Sequence, residues 1–179
     1  MSDRNINTQG GPSLVERLRA GDPAAAHALE SDYRPAIVRF AYGYLGDAAA
    51  AEDAAQDVFV KALSATAVPE SVKPWLYRIA RNHCLNLLRH RRVRAEESYP
   101  SSAPFADSRT GQLTRLVRAE NEAQLRERLG KLTTDQREVL ELRYGEDLGR
   151  EEIALVLDLA PSVVKSRLYE AMKRLREMD

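Results

Sequence analysis

Trp75, Arg78, Asn82, Asn86 and Arg89 follow one another at intervals of three or four residues, which on a helix of about 3.6 residues per turn places them along one stripe. An aromatic ring followed by alternating cationic and amide groups suits stacking on an unpaired nucleobase while the cations track a phosphate backbone. Residues 71–94, which hold the stripe and continue into Arg91 and Arg92, contain seven Lys or Arg and no Asp or Glu. An equally ordinary reading leaves Trp75 in a core and the arginines solvated.

Ahead of this basic block lies an acidic one, with ten Asp or Glu against six Lys or Arg over residues 1–70. Wound as a helix, Asp47 to Leu63 puts Ala55, Val58, Phe59 and Ala62 on a buried stripe. Asp53, Gln56, Asp57 and Val60 fall on the opposite face, with Glu52 beside them. Such a face is commonly nothing more than solvated surface, but three carboxylates around one apolar residue also suit docking to a basic protein helix. The formal net charge of zero therefore conceals a division into acidic and basic segments that suggests two different partners.

The C-terminal residues carry a third pattern. Thr133 and Gln136 are spaced as a capping box, opening a helix expected to run through Tyr144 with Val139, Leu140 and Leu142 apolar. A short helix over about Arg150 to Leu157 buries Ile153, Ala154 and Leu157; Asp158-Leu159-Ala160 is a turn, and Pro161 suits the first position of another helix. On that last helix Val164, Leu168, Ala171 and Leu175 form one stripe. Ser162, Lys165, Ser166, Tyr169 and Lys173 lie on the far side, flanked by Arg167 and Arg174. Two short helices about a tight turn, the second presenting polar and basic groups, is the geometry that enters a DNA major groove. The same pattern also describes part of a larger helical bundle with a charged outer face.

Catalytic arrangements are not expected. His83 and Cys84 are adjacent, so on a helix they point about 100° apart, and Cys84 is the only cysteine. A packed histidine and a buried thiol explain them without a metal, and the other histidines, His27 and His90, have no ligand spacing to them. Neither a glycine-rich phosphate loop nor a nucleophile elbow is present. We expect no enzyme activity, no cofactor and no metal.

The elements that must position these residues are helical throughout. Apolar residues make up 44% of the 179, charged ones 30% and aromatics 6%, rich in Ala, Leu, Glu and Arg. Gly21-Asp22-Pro23, Gly46-Asp47 and Pro69-Glu70-Ser71 with Pro74 divide residues 13–94 into about four helices. Residues 1–12 read as a disordered tail, and residues 95–111, with Pro100 and Pro104 among serines, as a flexible linker. A charged helix from about Leu113 to Leu129 opens the second domain, residues 112–179. The fold expected is all-α, two small helical domains joined by the linker. No apolar run reaches the roughly 18 residues needed to span a bilayer, and no signal sequence is evident, so a cytoplasmic protein without membrane insertion is expected.

Several of these stretches resemble one family. AEDAAQDVFVKAL resembles region 2.2 of the extracytoplasmic-function (ECF) group of sigma-70 factors. KPWLYRIARNHCLNLLRHRR resembles regions 2.3 to 2.4, and LTTDQREVLELRYGEDLGREEIALVLDLAPSVVKSRLYEAMKRLRE resembles region 4. The resemblance implies an RNA polymerase sigma factor in which residues 13–94 are a region 2-like domain and residues 112–179 a region 4-like domain. Glu52, Asp53, Gln56, Asp57 and Val60 would meet core polymerase, above all the coiled coil of its β′ subunit, with the β subunit also engaged. Trp75, Arg78, Asn82, Asn86, Arg89, Arg91 and Arg92 would recognise and help melt the -10 promoter element, with the loop from Ser64 to Lys73 pocketing a flipped base. Ser162, Lys165, Ser166, Arg167, Tyr169 and Lys173 would read the -35 element. Family members are often held by an anti-sigma protein, so such a partner is also implied. The sequence departs from the family where Asp158 stands in place of a common glycine, and at Ala160, Ser162 and Val163; Asp tolerates a left-handed turn. The alternative is a stand-alone helix-turn-helix regulator with an N-terminal sensing domain.

Overall fold

The computed structural model describes residues 13–97 and 129–178, and among these every regular element is a helix. The expected tail, almost all of the expected linker, and the expected helix from Leu113 except its last residue lie outside the described residues.

Four helices form the N-terminal bundle. Helix α1 (Leu14–Arg19) starts at Ser13, whose hydroxyl accepts from the Glu16 amide while the Glu16 carboxylate accepts from the Ser13 amide at 2.6 Å. Helix α2 (Pro23–Leu45) is capped by Asp22, has Pro23 at its first position and stops at Gly46, whose φ of 68° is left-handed. Asp47 at once caps α3 (Ala48–Leu63), accepting from the Ala50 amide at 2.7 Å. Helix α4 (Val72–Glu97) runs three residues beyond the boundary expected for the first domain. Four helices with these breaks is the arrangement anticipated.

Small residues on α3 let it approach α2 closely: Ala51, Ala54, Ala55, Val58, Phe59 and Ala62 are all buried. Phe40 of α2 sits at the centre with no exposure, its ring 5.1 Å from that of Tyr44 and 5.1 Å, edge-on, from that of Tyr77 on α4.

In the C-terminal unit, α5 (Thr134–Leu140) opens with the Thr133–Gln136 capping box, as expected. The α-helix does not run through Tyr144. From Glu141 to Gly145 the chain widens into a π-helical turn, the Glu146 amide bonding the Glu141 carbonyl five residues back. Helix α6 (Arg150–Leu157) has the expected bounds, and helix α7 (Pro161–Arg176) starts where expected. Between them Asp158 adopts φ 57° and ψ 49°, the left-handed conformation that its short polar side chain tolerates.

The two units are not independent. A single apolar cluster contains Phe40, Leu76, Tyr77 and Cys84 from the bundle together with Val139, Leu142, Ile153, Val156 and Val164 from the C-terminal unit. A smaller cluster of Leu129, Leu132, Leu140 and Ala171 closes the far end of the C-terminal unit.

Candidate nucleic-acid interface

Helix α3 presents its two faces as the wheel predicts. Glu52, Asp53, Gln56 and Asp57 are exposed, and Val60 is 57% exposed. An exposed apolar side chain gains by leaving water, and the acids around it would attract a basic partner. Glu52 is steadied by Arg34 at 3.2 Å, and Arg34 in turn pairs with Glu30 at 2.6 Å. Leu63, at 47% exposure, extends the apolar part of the face beyond the residues anticipated.

Helix α4 lies against α3 so that its predicted stripe borders a cleft of about 600 Å³. Trp75, Asn82, Asn86 and Arg89 line it, joined by Lys61, Ala65, Ile79, His83 and Leu85. Trp75 is half-buried, one part bordering this cleft and another a smaller cavity against Leu18 and Leu29. Arg78 does not join the cleft. It leans toward the C-terminal unit, its guanidinium 3.6 Å from Asp158. Arg91 and Arg92 are exposed further along α4, outside the cleft lining. The loop after α3 is held by Arg19, which donates to the Val68 carbonyl at 2.8 Å, and contributes Ala65 to the cleft wall.

Lys61 and His83 were absent from the sequence-derived site. Lys61 Nζ lies 2.5 Å from His83 Nδ1, and His83 Nε2 lies 3.1 Å from Asp57 Oδ2, linking the acidic face of α3 to the cleft. Lys61 stands four residues after Asp57, one helical turn on, which was the available signal. Burial and the Lys61 ammonium push the His83 pKa below its usual 6.5, with Asp57 opposing them. The folded protein therefore favours neutral His83, so its contribution to stability is complete above about pH 6.5 and is lost as pH falls through the lowered value. Thermal melts of wild type and His83→Gln from pH 7.5 to 5 should show the larger loss in wild type. Parallel curves would refute the coupling.

On α7, Ser162, Lys165 and Ser166 are exposed, Tyr169 is 69% exposed, and Lys173 is exposed with Glu177 at 3.7 Å. Arg167 is drawn back to Asp135 at 2.7 Å and is the least exposed of the six. The opposite stripe is buried or half-buried at Val164, Leu168, Ala171 and Leu175, as expected. Two polar faces on two helical units, one flanking a cleft with an aromatic wall, can hold duplex and single-stranded nucleic acid respectively.

Comparison with known proteins supplies the family. The profile of the family described as Sigma-70 region 2 matches residues 29–94, and that described as Sigma-70, region 4 matches residues 122–175. The RNA polymerase sigma-H factor of Pseudomonas aeruginosa is 33% identical over 170 residues, 88% of each chain. The chain belongs to the sigma-70 family.

It is an RNA polymerase sigma factor of the ECF group, and the stand-alone regulator is not favoured. The ECF RNA polymerase sigma factor SigL of Mycobacterium tuberculosis is 30% identical over 90% of this chain and 93% of its own. Among solved structures, CnrH in complex with the cytosolic domain of CnrY aligns with a TM-score of 0.64 at 26% identity, covering 92% of this sigma factor and 94% of that chain. The Bartonella quintana sigma factor RpoE, solved with the anti-sigma factor NepR, shares the fold at a TM-score of 0.60 and 23% identity, over 84% of this chain and 96% of that one. Among the described residues no helix is long and apolar enough to cross a membrane.

Proposed function

We propose that this sigma factor grips core RNA polymerase through the Glu52, Asp53, Gln56, Asp57 and Val60 face of α3. On this reading residues 13–94 form the polymerase-binding and -10-opening domain, residues 95–111 the linker, and residues 112–179 the -35-binding domain. The observation that carries it is the cleft beside α4, where an aromatic wall, two amides and an arginine stand next to an acidic docking face on the same bundle. A base turned out of the -10 duplex stacks on Trp75, while Asn82 and Asn86 offer hydrogen bonds and Arg89, Arg91 and Arg92 follow the strand. Helix α7 enters the major groove of the -35 element with Ser162, Lys165 and Ser166 near its N-terminus, Arg167, Tyr169 and Lys173 following. The protein acts in the cytoplasm by positioning DNA and polymerase, without chemistry of its own. An anti-sigma protein is a fitting regulator, since CnrH and the Bartonella RpoE are each solved with a bound partner protein, named an anti-sigma factor for RpoE.

Permanganate reactivity of unpaired thymines tests the opening step. With core polymerase present, Trp75→Ala should lower reactivity in the -10 region by roughly fivefold or more, since stacking contributes about 1–3 kcal/mol per base. Undiminished reactivity would remove Trp75 from the melting role. For the -35 contact, Lys165→Ala should reduce the slope of log affinity against log salt by about 0.9, one phosphate contact's worth of released counterions. An unchanged slope would take Lys165 off the DNA.

A further inference from the structure

His83 stands between the two faces of the bundle and is too enclosed to serve either one directly. Its side chain is only 9% exposed, yet it lines the α4 cleft on one side and reaches the acidic face of α3 on the other. Lys61 Nζ lies 2.5 Å from Nδ1, and an ammonium can only donate, so Nδ1 is the accepting nitrogen and the imidazole proton sits on Nε2. That N–H is shut off from solvent and completes no hydrogen bond, although Asp57 Oδ2 stands 3.1 Å away. A buried donor left short of its acceptor destabilises the fold, and a small rotation of the exposed Asp57 carboxylate would relieve it. The ring is therefore poised to gain a partner.

Protonation of His83 and its contact with Lys61 exclude each other. An imidazolium has two donors and no acceptor, so Lys61 must leave Nδ1 before a second proton can enter. Burial and the Lys61 charge resist that proton, and Asp57 favours it. Among the described residues Lys61 and Asp57, both on α3, are the charges that act on the ring; Arg89, on α4 itself, lines the same cleft. The other histidines, His27 on α2 and His90 on α4, are exposed and outside the cleft lining.

A strand lying in the cleft changes this balance. Lys61 is exposed, borders the cleft with Trp75 and Arg89, and carries its charge on a flexible stem, so a backbone phosphate there competes with Nδ1 for the ammonium. Once Lys61 has turned to the phosphate, Nδ1 is open and a nearby positive charge has gone.

We propose that His83 is a positioning residue that makes strand binding proton-linked: it holds Lys61 at the edge of the empty cleft, releases it to a strand phosphate, takes a proton from solvent on Nδ1 in its place, and draws the Asp57 carboxylate onto Nε2. This rests on the -10 role proposed for the cleft. The strand-bound chain then has the higher His83 pKa, so affinity for the strand rises as pH falls through that value and levels off below the lower value of the free chain. By reciprocity, the factor by which the strand tightens proton binding is the factor by which the proton tightens strand binding.

The test is an NMR titration of the imidazoles in the full chain, which has three histidines, with His83 assigned by its loss in His83→Gln. The probe is a single-stranded DNA oligonucleotide of randomised sequence, since stacking tolerates any base. In wild type the strand should tighten proton binding at His83 by about threefold to tenfold, the effect of removing one neighbouring charge. Lys61→Met, a change at an exposed position, should show His83 already shifted upward without DNA and responding to the strand less than half as far. Fluorescence anisotropy at pH 7.5 and 5.5 should show strand affinity rising more in wild type than in His83→Gln, by up to the same factor; His27 and His90 titrate in both and drop out of the difference. A His83 that the bound strand leaves unmoved overturns the proposal, and so does a Lys61→Met chain whose His83 titrates as in wild type or responds as fully to the strand. Equal pH dependence in wild type and a folded His83→Gln overturns it as well. A wild type that binds no oligonucleotide at either pH overturns the -10 role itself and the proposal with it, whereas binding with an unmoved His83 overturns the proposal alone.

Discussion

Phe40→Ala should lower the stability of the folded chain by about 3–5 kcal/mol, the usual cost of emptying a buried aromatic site. Phe40 is wholly buried and its ring meets Tyr44 and Tyr77, so the vacancy would open between α2 and α4, where neither helix can move without disturbing α3. Against a total stability of about 5–15 kcal/mol this is a large fraction, corresponding to a fall in Tm of roughly 6–20 °C for a chain of this size. Polymerase binding would fail with the fold, since the acidic face of α3 is held in place by the same core. Phe40→Leu, which retains most of the volume, should lose much less. Thermal or urea unfolding checks both, and a Phe40→Ala melt within a few degrees of wild type would show that the core is not organised about this ring.

Asp53→Ala with Asp57→Ala should weaken binding to core polymerase by about 30-fold to 1000-fold, taking about 1–2 kcal/mol for each charge lost at the centre of an interface. Both side chains are exposed in the free protein, so the change removes attraction for a basic partner without emptying any core site. Asp57 also faces His83 at 3.1 Å, and the double variant will therefore shift the pH dependence of stability as well. Binding to an isolated -35 duplex should be unaffected, because that contact belongs to α7. Fluorescence anisotropy with labelled sigma factor and core polymerase reads the first effect, and unchanged affinity would remove the α3 face from the polymerase interface.

Much of this was legible before any coordinates. The capping box at Thr133, Gly46 followed by Asp47, and Pro161 each mark a helix end by local chemistry, and local chemistry survives folding. The opposed faces of α3 and α7 follow from spacing alone. Asp158 takes the left-handed turn as its side chain permits. Illegible were the contacts between units, because their partners stand far apart in the chain: Tyr44 and Glu138 are separated by 94 residues, Tyr77 and Glu146 by 69, Arg81 and Glu138 by 57. Carboxylates on a short amphipathic helix read as solvated, and Tyr77 and Cys84 on α4 gave no sign that a second unit would cover them. The π-turn at Glu141–Gly145 has the same origin, since an apolar period does not distinguish an α-helix from its local widening. Arg78 fits the stripe of Trp75 and Asn82 by spacing, yet its long side chain follows the nearest carboxylate instead.

Transcription from purified core RNA polymerase and this sigma factor on a library of genomic fragments, with transcript 5′ ends mapped, shows whether the chain directs polymerase to promoters. Discrete start sites should appear, preceded by one shared pair of motifs at -35 and -10, absent with core polymerase alone and lost with Asp53→Ala plus Asp57→Ala. Start sites that appear only when a different sigma factor is added would contradict it.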